Sequence, residues 1–279
     1  YSTNHVHEGK SLLMMEFGIS TLPFYGARTL DDMILGCQQA GFRNIEIMCE
    51  GILSDVAGIS ASQRKALVER ARGEGLQYFV HAPIADINLM SLNAGIRREA
   101  QRQLIAAIQF TQDIQARRMV FHIGGKPYMG LYDFEEGYRC CIDALEPVVS
   151  AAEEAGIILL LENDPNKVGL GAITVESCRR ILDPYQGRLG FLLDVGHAFM
   201  LGDSAIEEFC RTFAPILKGT HFSDNHRVRD EHLGLGCGEM DVGRTVEALK
   251  QIHYSGEIIL EVKQASDVAS SVACLRALI

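Results

Sequence analysis

Short apolar runs alternate with longer amphipathic stretches along almost the whole chain. Several runs, such as Ile157–Leu161 and Ile258–Leu260, are nearly continuous, which is typical of parallel strands that are covered on both faces. We predict eight strands, at Glu16–Ser20, Asn44–Met48, Gln77–His81, Met119–Ile123, Ile157–Glu162, Leu189–Asp194, Leu217–Phe222 and Glu257–Val262. A strand–helix repeat with short connections predicts a parallel sheet, and eight units close it into an α/β fold, the (β/α)8 TIM barrel.

Helices are predicted between the strands. Thr29 can cap a helix that runs to Ala40 and ends at Gly41, and Ser60 or Ser62 can start the next one. The remaining predicted helices are Ala94–Gln115, Phe134–Ala155, Thr174–Leu182, Ala205–Thr212, Val242–His253 and Asp267–Leu278. No linker or low-complexity segment interrupts the pattern, so we expect one barrel domain over residues 15–279. Residues 1–14 lack the apolar core of a signal peptide, and we expect a disordered leader there.

Composition and charge narrow the classes of partner. The chain has 36 acidic residues against 26 Lys and Arg, a net charge of −10, so its surface repels phosphate backbones at long range and does not favour nucleic acid. Eight cysteines without a CxxC pair predict reduced thiols in a cytoplasmic protein. No apolar stretch reaches membrane-spanning length, and no G-x-G-x-x-G motif opens a helix after a strand. A membrane and a dinucleotide are therefore not expected partners.

A His or an acid ends, or nearly ends, six of the last seven predicted strands. These six residues are His81, His122, Glu162, Asp194, His221 and Glu261. The carboxyl ends of barrel strands share one rim, where active sites are built. One such residue alone is more often a hydrogen-bonded core residue. Several carboxylates converging there would repel one another and lose solvation unless cations neutralise them, so the set as a whole predicts a metal site.

Three more residues extend the set: His197 just after strand six, and Asp230 and His232 in the loop after strand seven. Imidazole nitrogen mixed with carboxylate oxygen suits zinc, manganese or cobalt better than calcium. Carboxylates can also bridge metals, so the nine residues predict a site for one to three divalent ions.

These residues resemble the xylose-isomerase-like barrel superfamily, which includes sugar isomerases, sugar epimerases and the endonuclease IV type of DNA repair enzyme. The matching segments are His81-Ala-Pro83 with Ile87-Asn-Leu89, Phe121-His122, Leu161-Glu-Asn163, Asp194-Val-Gly-His-Ala-Phe199, His221 and Asp230-Glu-His232. All nine metal-ligand positions of the trinuclear endonuclease branch find a matching residue type. The likeness implies three metals: one on His81, His122 and Glu162, one on Glu162, Asp194, His221 and Glu261, and one on His197, Asp230 and His232.

The chain departs from the endonuclease branch where that branch contacts DNA. It has Ile84-Ala-Asp86 where the endonucleases carry an aromatic wedge, and His122-Ile-Gly124 where they carry His-Pro-Gly. Only Phe222–Arg229 separate the strand-seven His from the D-x-H pair, whereas the endonuclease loop is longer. These differences argue against DNA binding and leave the metal set intact.

The segment His221-Phe-Ser-Asp-Asn-His-Arg227 resembles the ketose 3-epimerases and related sugar isomerases instead. In those enzymes the Arg holds a substrate hydroxyl or carbonyl, and Glu162, Asp194, His221 and Glu261 correspond to the four ligands of their metal. The epimerases proper tend to lack His81 and His122, so the chain lies between the two branches.

The leading hypothesis is a metal-dependent isomerase or epimerase of a sugar or sugar phosphate. Glu162 and Glu261 would transfer the proton alpha to a metal-bound carbonyl, while His197 and Arg227 would orient the substrate. An endonuclease IV-like zinc phosphodiesterase is the alternative, and a dehydratase or lyase on a sugar acid is a third. Lys126 and Lys263, just beyond strands, are either anion-binding or ordinary surface lysines. The sequence leaves open which sugar is bound and whether the chain forms a homo-oligomer.

Overall fold

Eight parallel strands form a closed barrel in chain order, which confirms the predicted (β/α)8 fold. The computed structural model describes residues 15–125 and 134–279, so the predicted leader and Lys126 lie outside the described residues. The strands are β1 (Glu16–Ser20), β2 (Asn44–Met48), β3 (Gln77–His81), β4 (Arg118–Phe121), β5 (Ile158–Glu162), β6 (Gly190–Asp194), β7 (Leu217–Phe222) and β8 (Glu257–Leu260). Each strand pairs with the next, and β8 pairs with β1. The strand ends shift slightly from the prediction, so that His122 and Glu261 each lie one residue beyond their strand.

Helices cover the outside of the barrel. They are α1 (Leu30–Gln39), α2 (Ala61–Glu74), α3 (Ala94–Asp113), α4 (Phe134–Ala155), α5 (Val175–Leu182), α6 (Val195–Phe199), α7 (Ala205–Phe213), α8 (Val242–Gln251) and α9 (Val268–Arg276). The side chains of Thr29 and Ser60 cap α1 and α2 as predicted, each by accepting a bond from the main-chain N–H three residues on. The five-residue α6 was not predicted. It begins directly after β6, with Asp194 as its N-cap.

Side chains that point into the barrel form layers, because alternate residues of a strand face the same side. We call one of these the middle layer; it surrounds a small cavity of about 20 Å³ and consists of Glu46, Phe79, Val120, Leu160, Leu192, Gly219 and Ile259. Below it, Arg118 and Glu257 form an ion pair of 2.6 Å across the bottom of the barrel. Six of the predicted metal ligands lie two residues after a member of the middle layer. They therefore form the next layer up, at the carboxyl end of the strands.

Within the part of the chain that the structure describes, no helix has the length and hydropathy needed to cross a membrane.

Candidate metal centre

Nine side chains converge at the carboxyl end of the barrel. They are the nine predicted ligands: His81, His122, Glu162, Asp194, His197, His221, Asp230, His232 and Glu261. They form overlapping groups whose candidate donor atoms lie within 4.8 Å of one another. The groups are His81, His122 and Glu162; Glu162, Asp194, His221 and Glu261; His197, Asp230 and His232; and His81, His221 and Glu261. The structure thus brings together side chains from the carboxyl ends of six strands, from α6 and from the loop after β7.

Glu162 lies at the middle of the cluster and is 1% exposed. Its Oε2 is 3.1 Å from Nε2 of His81 and 3.1 Å from Nε2 of His122. Its Oε1 is 3.1 Å from Nδ1 of His221, and the same Nδ1 is 3.2 Å from Oε2 of Glu261. One carboxylate therefore belongs to two of the candidate groups, which is the arrangement that a bridging ligand needs.

The outer part of the cluster is built by α6 and by the loop after β7. Oδ2 of Asp230 lies 3.2 Å from Nε2 of His197 and 2.9 Å from Nε2 of His232. The Asp194 carboxylate accepts a 2.6 Å bond from the main-chain N–H of His197, so the N-cap of α6 also fixes the position of the His197 backbone. The Asp230 and His232 side chains are 23% and 21% exposed, which makes this group the one nearest to solvent.

Asp224 holds the loop that carries Asp230 and His232. Its buried carboxylate accepts four main-chain N–H bonds, from Asn225, Gly236, Gly238 and Met240. Its own main chain exchanges two 2.9 Å bonds with that of Leu233. A Cβ atom at Gly238 would collide with the Asp224 carboxylate, so this position needs glycine for close packing around the Asp224 side chain.

The histidine rings are oriented by acceptors outside the cluster. Nδ1 of His81, His197 and His232 lies 2.9, 2.7 and 2.8 Å from the main-chain oxygens of Ala82, Asn163 and Glu261, respectively. Nδ1 of His122 lies 2.8 Å from a carboxylate oxygen of Asp164. A carbonyl oxygen can only accept a hydrogen bond, so the facing Nδ1 carries a proton, and Nε2 is the nitrogen that could offer a lone pair to a metal in the centre. This is the usual outer environment of a metal-binding histidine.

The charges in the cluster depend on one another. Burial raises the pKa of Asp194, and the nearby carboxylates of Glu162 and Glu261 add to the rise. Burial acts in the same direction on Glu162, but His221 and His122 outweigh it and hold the pKa of Glu162 well below its usual value. Conversely, burial lowers the pKa of His122, yet Glu162 and Asp164 raise it to about 10. Protons on histidine thus neutralise the carboxylates when no cation does, and a metal would compete with those protons.

Two oxygen atoms show that the residues fit a divalent metal. Asp194 Oδ2 and Asp230 Oδ1 are buried and have no hydrogen-bond partner among the described residues. A buried carboxylate oxygen without a partner is costly, and a coordinated cation removes that cost. Each of the two atoms belongs to a group that also offers imidazole nitrogen, and this mixture of donors suits zinc, manganese or cobalt.

All members of the cluster except Asp194 and His221 line a cavity of about 1020 Å³ and form its floor. Among the described residues that line it, Lys167 is the one Lys or Arg, whereas six carboxylates line it. These six are Glu50, Asp86, Glu162, Asp164, Asp230 and Glu261. Such an acidic lining favours a ligand that binds to metal ions or through its own neutral hydroxyl groups. It disfavours a ligand that basic side chains would have to recognise.

Arg227 is the predicted site residue that the structure does not bring to the cluster. Its guanidinium pairs with Asp203 and lies 4.1 Å from the centre of the Phe199 ring. It lines a separate small cavity next to α6 and α7, and its backbone has a left-handed φ of 63°. In this structure, therefore, Arg227 is not placed to hold a substrate bound at the cluster. Lys263 is exposed and does not line the central cavity.

This position of Arg227 gives a prediction. Arg227→Ala should change the KM for a sugar substrate by less than about threefold, as is usual for a substitution outside a binding site. His197→Ala, in the cluster, is the contrasting variant and should impair turnover. Steady-state kinetics of both variants test this, and a tenfold rise in KM for Arg227→Ala would return that residue to the substrate site.

Sequence reasoning missed Glu46 and Asp164. Glu46 lies in the middle of β2, 1% exposed, and its Oε1 is 2.9 Å from Nε2 of His221. Asp164 lies just beyond β5, where it accepts bonds from His122 and from the main-chain N–H of Ala172. A charged residue between two apolar neighbours of a strand that is covered on both faces, as in Ile45-Glu46-Ile47, is a signal that would have found Glu46.

Comparison with known proteins agrees with the observed barrel fold. The family model described as xylose isomerase-like TIM barrel matches residues 36–278. The chain belongs to the xylose isomerase-like TIM barrel family. A curated member, an uncharacterized protein of Methanocaldococcus jannaschii (MJ1311), is 31% identical over 273 residues, which cover 96% of this chain and 91% of that protein.

Solved structures of xylose isomerase-like barrels include sugar epimerases. The crystal structure of a D-tagatose 3-epimerase-like protein has a TM-score of 0.86 and 30% identity, and the match covers 95% of this chain and 97% of that one. A D-psicose 3-epimerase has a TM-score of 0.78 at 18% identity, covering 95% and 99% of the two chains, a likeness of fold alone. A probable endonuclease 4 of Mycobacterium leprae is 27% identical over 186 residues, 64% of this chain and 71% of that protein.

Proposed function

We propose that the protein is a metal-dependent isomerase or epimerase of a ketose or ketose phosphate. The observation that carries the proposal is the buried group of Glu162, Asp194, His221 and Glu261, of which Glu162 and Glu261 line the central cavity. Two of its carboxylates belong to Glu residues, which can also exchange protons. The likeness to the D-tagatose 3-epimerase-like protein, at 30% identity, supports the same class of reaction.

Glu162 and Glu261 supply the acid and the base in this proposal. Glu162 Oε1 and Glu261 Oε2 both approach one nitrogen, Nδ1 of His221, at 3.1 and 3.2 Å, so they border the same small volume. One Glu removes the proton alpha to the substrate carbonyl, and the other returns a proton to the carbon skeleton. A divalent ion bound by the four residues would polarise the carbonyl and stabilise the negative charge that develops on its oxygen.

Burial of the two Glu side chains favours proton transfer. Glu162 is 1% and Glu261 3% exposed, so water has little access to the proton during transfer. His197 is 5% exposed and turns Nε2 towards Asp230 at the cavity, where it orients the hydroxyls of the substrate. Lys167 is the one Lys or Arg in the described cavity lining that could bind a substrate phosphate group. A comparison of free and phosphorylated ketoses tests whether it does so.

Uptake of solvent deuterium tests the proposal directly. A panel of free ketoses and their phosphates is incubated in D2O with the protein loaded with Mn²⁺, Co²⁺ or Zn²⁺. We expect at least one ketose to lose its alpha-proton signal in the ¹H NMR spectrum, because an acid and a base that flank the carbonyl must pass that proton through an exchangeable group. Protein stripped of metal is the control. A panel without any exchange would rule out this class of reaction.

A zinc-dependent phosphodiesterase is the second candidate, and one observation favours it. The group of His197, Asp230 and His232 offers a further metal site that a four-ligand epimerase centre does not require. The near absence of Lys and Arg from the described cavity lining opposes it, since binding of a nucleic acid backbone rests on such cations. Nicking of abasic duplex DNA at a rate that falls steeply with salt, in the absence of sugar exchange, would replace the first proposal by this one.

A further inference from the structure

His221 differs from the other histidines of the cluster. His81, His122, His197 and His232 turn Nδ1 outwards to an oxygen acceptor and Nε2 inwards. His221 is reversed: its Nδ1 faces Glu162 and Glu261, and its Nε2 points down into the barrel. The Nε2–H of His221 therefore needs an acceptor on the side of the ring that faces away from the cluster, and the main chain of the strands does not supply one there.

Glu46 occupies the position of that acceptor. Its Oε1 lies 2.9 Å from Nε2 of His221, which is 0% exposed. The two atoms do not yet have the orientation of a hydrogen bond, and both are without another partner among the described residues. A change in the orientation of the ring would align the Nε2–H with the carboxylate.

The surroundings of Glu46 make a purely structural role costly. It is the one charged member of the middle layer, whose other members are Phe79, Val120, Leu160, Leu192, Gly219 and Ile259. A carboxylate among such residues loses its solvation without a compensating bond, and an apolar side chain would pack there without that loss. Glu46 is also absent from every candidate ligand group, because the His221 ring lies between it and the other donors.

We propose that Glu46 is a positioning residue for the metal centre: it accepts the Nε2–H of His221, fixes the ring, and so presents the Nδ1 lone pair to the ion. The inference rests on the metal-binding part of the proposed function and not on the reaction with sugar. Outer partners of this kind tune ligand basicity as well as ring orientation. Asp164 plays the same part for His122, at 2.8 Å.

Titration of metal-free protein with Co²⁺ tests the inference, with sugar left out. Glu46→Gln keeps the shape of the side chain and removes its charge. Its affinity for Co²⁺ should fall by about 10- to 100-fold, the usual effect of losing an outer partner, and the visible absorption spectrum of the bound Co²⁺ should change. Glu257→Gln is the matched control. It removes another carboxylate that lines the same small cavity, but this one pairs with Arg118 at 2.6 Å, so Co²⁺ affinity and spectrum should stay as in the wild type.

The outcomes of the Co²⁺ titration distinguish the role of Glu46 from the proposed epimerase function. Equal Co²⁺ affinity and spectrum in Glu46→Gln and wild type overturn the inference, and so does an equal loss in Glu257→Gln. A wild-type chain that binds no divalent ion overturns both the inference and the proposed function. If Glu46→Gln weakens Co²⁺ binding while no sugar exchanges its proton, the inference stands and the epimerase proposal fails.

A measurement on the wild type keeps the inference testable if Glu46→Gln does not fold. Two-bond ¹H–¹⁵N spectra of the zinc-loaded protein report which ring nitrogen of His221 carries the proton. We expect the proton on Nε2 and the metal on Nδ1, opposite to the other four histidines. A proton on Nδ1 would overturn the inference.

Discussion

Glu162→Gln should lower the rate of alpha-proton exchange by at least about a thousandfold, within the range that general acid–base groups contribute. The amide keeps the shape of the side chain, but it cannot accept a proton and is a poor ligand. Glu162 also contacts three histidines, at 3.1 Å in each case, so the variant loses the anion that two candidate metal groups share. Glu261→Gln should cause a fall of similar size, because it removes the other acid–base group.

Metal content separates the two roles of these residues. A variant that keeps its metal and loses exchange has lost an acid or a base, whereas one that loses both has lost a ligand. Glu239→Gln is the matched control, since Glu239 is an exposed carboxylate of the loop after β7 that lines a different cavity. It should exchange the substrate proton at the wild-type rate. Exchange within tenfold of wild type in both Glu162→Gln and Glu261→Gln would remove these residues from the reaction.

Removal of metal should abolish exchange and lower the thermal stability of the protein. At a metal concentration of about 1,000 times Kd, a ligand bound only by the folded state adds about 4 kcal/mol to the free energy of unfolding. For a domain of this size, that corresponds to a Tm shift on the order of 10 °C. The physical source is the cluster itself, whose buried Glu162, Asp194 and Glu261 carboxylates have protonated histidines as their counter-charges when no ion is bound.

Calorimetry before and after dialysis against a chelator measures this effect. Added Mn²⁺, Co²⁺ or Zn²⁺ should restore both Tm and exchange. Ca²⁺ is the control ion, since a site rich in imidazole does not suit it, and it should restore neither. An identical Tm and undiminished exchange in chelated protein would mean that the cluster is held together by hydrogen bonds alone.

The barrel and its rim were predictable because both follow from short-range periodicity. The apolar runs fixed the strands, and the polar residue at the end of each run had to lie at the shared rim once the strands were parallel. The same reasoning led to Asp230 and His232, because a loop that directly follows β7 begins at that rim. The ends of six strands and the loop after β7 therefore contributed to the cluster as expected, and His197 follows β6 directly, in α6.

The sequence was less informative where the direction of a side chain depends on a distant contact. Arg227 was expected in the site because the segment from His221 to Arg227 resembles the ketose 3-epimerases, but in this structure its guanidinium pairs with Asp203 and lies against the Phe199 ring. Asp164 contacts a histidine 42 residues away, and no local pattern specifies that pairing. Glu46 lies in the middle of β2 rather than at the end of an apolar run, so the pattern that predicts rim residues does not include it, although its apolar neighbours Ile45 and Ile47 mark it as unusual.

The outward bonds of the histidines differ in how they withstand mutation. Those of His81, His197 and His232 go to main-chain oxygens, which every amino acid provides. The bond of His122 depends on the Asp164 carboxylate, and the bond proposed for His221 depends on Glu46, so substitution of either acid removes the acceptor outright. Substitution of Ala82, Asn163 or Glu261 leaves the accepting oxygen in the main chain, so His81, His197 and His232 would keep their acceptors where His122 and His221 would not.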